Sequence, residues 1–432
     1  MTVPRVPARS PAVRAVGLAC LAAGIAVGMT ACDGLLKVTN PGSLEDGQLD
    51  DPVLEPFIIN GVIGEFQFAY TNYAFFSGVL ADEGFLDHPN INFREFGLHR
   101  FNDINTTNEL VYGSLQQARQ AADDATDRLK KIAGTNAGSN LNVARALIYG
   151  GYSYVLLGEG FCEAPVNLGA PLPSKELLGR AIARFDEGIA VATAGRTGAN
   201  VAAAQDLIYM ARVGAARASL KSGNPAKARA YADSVPNAYE RWAYYSANSA
   251  RENNAIQIAV RQMQPWLAMA PTYLGLNDPR VPQPGVPRPS LNSNLILPPL
   301  KPSSYGGWTG ASPPQAIDVA TSVRFSSGLE ARYIVVEADG PNATMLSFVN
   351  ARRATVGKPP ADLSGPALLT EFRRQRAIDF YLTGQRLGDL RRYADAGMDL
   401  FPTGKYPTLP DSYGTMRCFI VPLSEKSGNP NY

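Results

Sequence analysis

Side chains able to do covalent or acid–base chemistry are scarce in this 432-residue chain, which holds four cysteines and two histidines. Neither His88 nor His99 stands in a His-Glu-x2-His or zinc-ligand spacing, so both read as surface or loop residues. No Gly-x-Ser-x-Gly elbow and no phosphate-cradling Gly-x4-Gly-Lys-Ser/Thr occurs. Asp82, Glu83 and Asp87 lie close enough to suggest calcium, but they lack EF-hand spacing and are expected to be solvated carboxylates. The chain is therefore expected to be no enzyme and to hold neither metal nor cofactor. One catalytic class survives this test: a glycosidase needs two carboxylates whose pairing no sequence spacing reveals.

Among the cysteines, Cys32 has the most telling surroundings. Arg5, Arg9 and Arg14 precede an apolar run from Ala15 to Gly28, and Met29-Thr30-Ala31 lead into the cysteine. That is the layout of an export signal over residues 1–31, too short and too rich in small residues for a spanning helix. The site resembles the bacterial lipobox, with Met29 where leucine is usual, which implies that Cys32 becomes the acylated first residue. Each buried methylene contributes about 0.8 kcal/mol, so several acyl chains anchor a protein where one does not. Residues 32–52 are rich in turn formers and lack periodicity, as a spacer between lipid and domain would.

Removing residues 1–31 takes away three arginines and no acids, so the formal charge falls from +2 to −1 (2 − 3) and 401 residues remain (432 − 31). A near-neutral body excludes nucleic acid as an expected partner. Cys20 leaves with the signal and Cys32 takes the lipid, so Cys162 and Cys418 are the remaining thiols. In an oxidising compartment a disulfide between them is the favoured reading, with two unrelated buried thiols as the alternative. In the chain-entropy picture the closed loop of 256 residues (418 − 162) gives an upper figure of about 5 kcal/mol.

The rest of the chain, 53–432, reads as a single mainly α domain. An aromatic-rich helix is expected from Val53 to Leu80. From Asn108, Leu110, Leu115, Ala118, Ala122, Ala125, Leu129 and Ile132 recur at steps of three to five, one amphipathic helix of about six turns. Further helices are expected at 141–158, 174–193, 203–221 and 225–235. Small residues on their faces, such as Ala181-x3-Phe185, and the turn Gly223-Asn224-Pro225 resemble tetratricopeptide repeats over about 108–235, with an ordinary helical bundle as the alternative. Between 236 and 330 the pattern breaks down, and 12 of the 33 prolines fall between Pro265 and Pro314. Long Pro/Gly-rich loops laid over the helical body are expected there. Helices return in 331–432, at 330–337, 341–354 and 366–396.

The C-terminal third carries the most specific pattern: Arg376-x2-Asp379, then Gly384-Gln385-Arg386-x2-Asp389-Leu390-x-Arg392, and finally Pro422-x2-Glu425-x3-Asn429-Pro430. Pro366 suits a helix start and Gly384 a helix C-cap. Arg386 and Asp389, three apart, are placed to pair on a helix surface. Salt bridging that locks two helices together is favoured for Arg386, Asp389, Arg391 and Arg392 over ligand contact. These motifs resemble the C-terminal signature of the SusD/RagB family, with Gln375 and Thr383 where glutamate is usual and Ile378 where arginine is common.

The resemblance implies a SusD-like fold: a tetratricopeptide-like helical repeat scaffold on an outer-membrane lipoprotein at the cell surface. It also implies a TonB-dependent, SusC-like transporter as partner and an oligosaccharide or peptide as ligand. Sugar rings stack on Trp and Tyr faces while polar groups satisfy hydroxyls. Tyr305 and Trp308 are therefore the first candidates for ligand contact, with loop packing an even alternative for Trp308. The stretch from Asp87 to Asn102, with Asn92 and Phe93, is second. Tyr70, Tyr73, Phe75 and Phe76 are expected in the core, and Trp242 and Trp266 carry no assignment. The other reading of function is a lipid-anchored tetratricopeptide-like scaffold for envelope assembly, without a small ligand.

Overall fold

In the computed structural model, which describes residues 46–261, 266–281, 288–289, 296–297 and 319–432, asparagine side chains open the helical array. Asn105 accepts from the backbone of Thr107 and Asn108 and starts α3 (Thr106–Ala133), after α1 (Glu55–Leu80) and α2 (Ile91–Gly97). Asn140 does the same for α4 (Leu141–Gly160). Asn224, followed by Pro225 in the first turn, starts α7 (Pro225–Ala232). Each cap satisfies backbone donors that have no partner within the helix. Between α4 and α7 lie α5 (Ser174–Ala194) and α6 (Val201–Lys221).

Helices α3 to α7 pack side by side in chain order, and α1 packs against α3 and α4. The expected face of α3 is buried at Leu115, Ala118, Ala122, Ala125 and Leu129, but Val111 completes it, whereas Leu110 points outward. Close approach comes from glycine. The ring of Phe185 on α5 lies where a Cβ at Gly151 of α4 or Gly214 of α6 would be, 2.7 and 2.3 Å from ring carbons. Three helices thus converge on one aromatic ring, which is the packing that the Ala181-x3-Phe185 seam permits. Tyr70, Tyr73, Phe75 and Phe76 lie in the main core as expected.

The described part of the region expected to be loops contains regular elements. It contains α8 (Ala255–Arg261) and strands that pair across long sequence distances. β1 (Gly84–Leu86) pairs antiparallel with β5 (Leu267–Met269), and β4 (Glu240–Ala243) with β8 (Val323–Ser327). The short pairs β2 (Glu163–Ala164) with β3 (Leu172–Pro173) and β6 (Arg288–Pro289) with β7 (Ile296–Leu297) complete the strands described. These pairings satisfy backbone groups that unpaired loops would leave to solvent.

C-terminal to β8 come α9 (Gly328–Ala338), α10 (Ala343–Ala354), α11 (Gly365–Asp379), α12 (Arg386–Asp395) and α13 (Leu423–Gly428). Tyr333, Met345, Val349, Leu368, Phe372 and Phe380 form a second core beneath α9 to α11. The segment 366–396 is two helices, as the expected break at Gly384 and the short second helix through Leu387, Leu390 and Ala394 imply. Pro366 sits in the first turn of α11 as expected, but α11 ends at Asp379, and Leu382 and Gly384 turn the chain with positive φ of 55° and 77° before α12. Gly384 therefore closes a turn rather than capping α11 directly. N-terminal to α1, a short 3-10 helix spans Asp46–Asp50. Among the described residues no helix is long and apolar enough to cross a membrane.

Candidate functional site

Strands β4 and β8 place Trp242 opposite Arg324, beside an irregularity in the pairing between Arg241 and Trp242. Cross-strand neighbours share a face, and the Arg324 guanidinium lies 6.0 Å from the Trp242 ring centroid. Arg324 also donates through Nη1 to Glu240 Oε1 at 2.7 Å. The half-buried Trp242 ring forms one wall of a cleft of about 610 Å³, a volume typical of small-ligand sites. Arg332, Phe348, Arg352, Arg280 and Asp379 are among the other lining residues.

The floor of this cleft is held by Asp379 at the end of α11. Its Oδ1 accepts from Arg280 Nη1 at 3.0 Å and Arg352 Nη2 at 2.6 Å, and its Oδ2 from Arg352 Nε at 2.8 Å and the Tyr333 hydroxyl at 2.5 Å. Arg280 reaches further, to Asp278 and to Gln375 Oε1. Burial would raise the Asp278 carboxyl, but Arg280 and Lys358 outweigh it and hold it well below the usual range. The guanidiniums are thus fixed by charge-assisted bonds before any ligand arrives.

The signature residues farther along lie inside the protein. Asp389 accepts from Arg376 and Lys221, and Arg376 also donates to Gln385 while lying 5.2 Å from the Phe380 ring centroid. Arg392 reaches both Glu337 and Asp389. Beneath them Arg217 is paired with Glu159, both fully buried. Burial alone would raise Asp389, yet Arg376, Lys221 and Arg392 hold it far below the ordinary carboxylate range. The expected surface pair between Arg386 and Asp389 does not form. Arg386 instead donates to the Ala81 carbonyl at 2.9 Å and lies 5.8 Å from the Tyr273 ring centroid, while Asp389 is taken up by Arg376 and Lys221. The signature salt bridging is interior, not on a helix surface.

The remaining expectations are spread over the molecule. Arg391 Nη1 donates to three carbonyls at the end of α4, those of Gly158, Glu159 and Phe161. Cys162 and Cys418 are joined in a disulfide with Cα atoms 5.3 Å apart, beside reciprocal backbone bonds between Gly160 to Cys162 and Phe419. In the tail, Asn429 donates to Gly169 and to Glu425, and Pro430 follows in a turn. Asn92 is engaged with Asn105 and Thr106 at the start of α3, and the Phe93 ring packs on Phe76, Trp266 and His88. Cys32, Tyr305 and Trp308 lie outside the described residues.

Two sequence readings need correction. His99 is not a surface residue: it is fully buried, with Nε2 3.3 Å from the Val79 carbonyl, and burial lowers its pKa to about 4. Glu83 and Asp87 are buried rather than solvated, and burial pushes the Glu83 carboxyl up to about 8. Among the described residues no group of three or more His, Cys, Asp or Glu is arranged to hold a metal ion. The cleft arginines were missed because 280, 324, 332 and 352 share no local spacing; only Trp242, in an otherwise polar strand, gave a visible signal.

No protein-family model matches the sequence, and no curated protein matches it. Solved structures do. The chain is similar to surface glycan-binding protein A from Bacteroides thetaiotaomicron, with TM-score 0.64 at 12% identity over 88% of this chain and 98% of the other. It is similar to a laminarin-binding SusD-like protein, with TM-score 0.60 at 13% identity over 87% and 99%. A SusD/RagB family protein from Bacteroides thetaiotaomicron matches with TM-score 0.61 at 15% identity over 87% and 94%. At such identities the likeness shows architecture alone: the chain has a SusD-like fold.

Proposed function

We propose that this chain is a cell-surface binding lipoprotein, anchored through Cys32, that captures a nutrient oligosaccharide and passes it to a TonB-dependent, SusC-like outer-membrane transporter. The observation that carries the reading is the cleft at Trp242, a half-exposed aromatic wall beside preorganised hydrogen-bond donors on a SusD-like scaffold. Sugar C–H faces stack on such a ring while guanidinium and amide groups satisfy hydroxyls. That structural neighbours are named for binding glycans and laminarin supports an oligosaccharide before a peptide. The signal-like segment before Cys32 supports export and lipidation.

Two measurements test this. Mild detergent extraction of the native membrane is expected to recover the Cys32-lipidated chain together with an outer-membrane barrel. Isothermal titration against an oligosaccharide panel is expected to find at least one ligand whose affinity falls tenfold or more in Trp242→Ala. Recovery without a barrel, under conditions that preserve such complexes, overturns the transport role, and a panel without any binder overturns the glycan role.

A further inference from the structure

Resting on the binding reading above, we infer that the Trp242 cleft takes an anionic oligosaccharide, one whose sugar units carry carboxylate or sulfate groups. Among the described residues, Arg280, Arg324, Arg332 and Arg352 line the cleft, against the carboxylates of Glu240 and Asp379. Including the groups one step behind adds Lys358 and Asp278, which pair with each other, and the surplus of two cations is unchanged. Asp379 is shared between Arg280 and Arg352, and Asp278 between Arg280 and Lys358.

Arg332 and Arg324 sit differently from the floor. Arg332 has no carboxylate partner among the described residues; its Nη2 donates to the carbonyls of Ala232 and Asp233, each at 3.2 Å. Arg324 has one carboxylate partner among the described residues, Glu240, whose side chain is 42% exposed. A carboxylate or sulfate entering beside Trp242 meets charged N–H donors of both guanidiniums, and at Arg324 it competes with a solvent-facing counterion. The Trp242 and Phe348 faces supply apolar contact for sugar rings, which an acidic peptide would use less completely. A neutral glycan would leave the surplus charge uncompensated, so the cleft discriminates by charge as well as shape.

The test is titration of the mature chain with oligogalacturonate, a sulfated galactan oligosaccharide, a neutral β-glucan oligosaccharide and polyglutamate, at low and moderate salt. At least one of the two anionic glycans is expected to bind at least tenfold more tightly than the neutral one, with affinity falling as salt rises. Arg332→Gln is expected to weaken that binding about tenfold. Glu240→Gln, which removes the competing carboxylate from an exposed position and carries little folding risk, is expected to strengthen it. The two glycan arms separate carboxylate from sulfate recognition. Tighter binding of the neutral glycan or of polyglutamate overturns the inference, as does anionic binding that Glu240→Gln weakens. Preference for the neutral glycan would leave the binding role standing, whereas no glycan binding at all would remove both.

Discussion

The carboxylate of Asp389 on α12 bridges two other helices, receiving Arg376 Nε of α11 on Oδ2 at 2.8 Å and Lys221 Nζ of α6 on Oδ1 at 2.5 Å. All three side chains are almost wholly removed from solvent. One short acid therefore ties the helical array to the C-terminal signature. Removing one member of a buried ion pair leaves the other charge uncompensated, a loss of about 3–5 kcal/mol. Asp389→Ala is expected to lose stability on that scale in urea denaturation. A loss below about 1 kcal/mol would show that the cluster relaxes without its acid.

Glycine at 214 has a different structural role. A Cβ there would stand 2.3 Å from the Phe185 ring, whereas one at Gly179 on the exposed side of α5 would meet nothing within 4 Å. Overpacking costs about 1–3 kcal/mol, while Gly to Ala in an open helix position gains about 0.5–1 kcal/mol. Gly214→Ala is expected to lower the melting temperature and Gly179→Ala to raise it slightly. Equal effects from both would mean that the Phe185 seam yields freely.

The helices were legible because their signals are local: apolar residues recur at steps of three to five from Leu110 onward, and Gly223-Asn224-Pro225 marks a break between two helices. Local spacing failed where tertiary partners competed. Arg386 and Asp389 stand three apart, yet burial gives one the Ala81 carbonyl and the other Arg376 and Lys221. The cleft was unreadable for a related reason. Its arginines come from a loop, a strand and two helices, and only β4–β8 pairing sets Arg324 against Trp242. Likewise, nothing adjacent to His99 announces that its ring lies in the core.

The Cys162–Cys418 disulfide crosses 256 residues and ties the segment after α4 to the C-terminal tail. Closing so long a loop restricts the unfolded chain and contributes about 2–5 kcal/mol. The double substitution Cys162→Ala with Cys418→Ala is expected to lower the denaturation midpoint by a corresponding amount, and reductant is expected to do the same to the wild type. If reductant shifts the double variant as much as the wild type, the stabilisation does not come from this bond.

Buried acids give stability a falling dependence on pH. Burial pushes Glu83 from 4.5 to about 8, against the opposing pull of Arg386, and Glu330 from 4.5 to about 7, against Arg217. Folding keeps both protonated where the unfolded chain ionises, so their stabilisation is complete below about pH 4.5 and is lost as pH rises through 7 and 8. His99 works in the opposite direction: lowered from 6.5 to about 4, it contributes fully above 6.5 and loses that contribution as pH falls. From pH 6.5 to 8 only the glutamates act among these three, with a limiting slope of about 1.4 kcal/mol per pH unit for each differing proton. Denaturation at pH 6.5, 7.5 and 8.5 is expected to show stability falling in the wild type and falling less steeply in Glu83→Gln, whose neutral amide needs no proton. Parallel slopes for the two proteins would show that Glu83 does not hold its proton on folding.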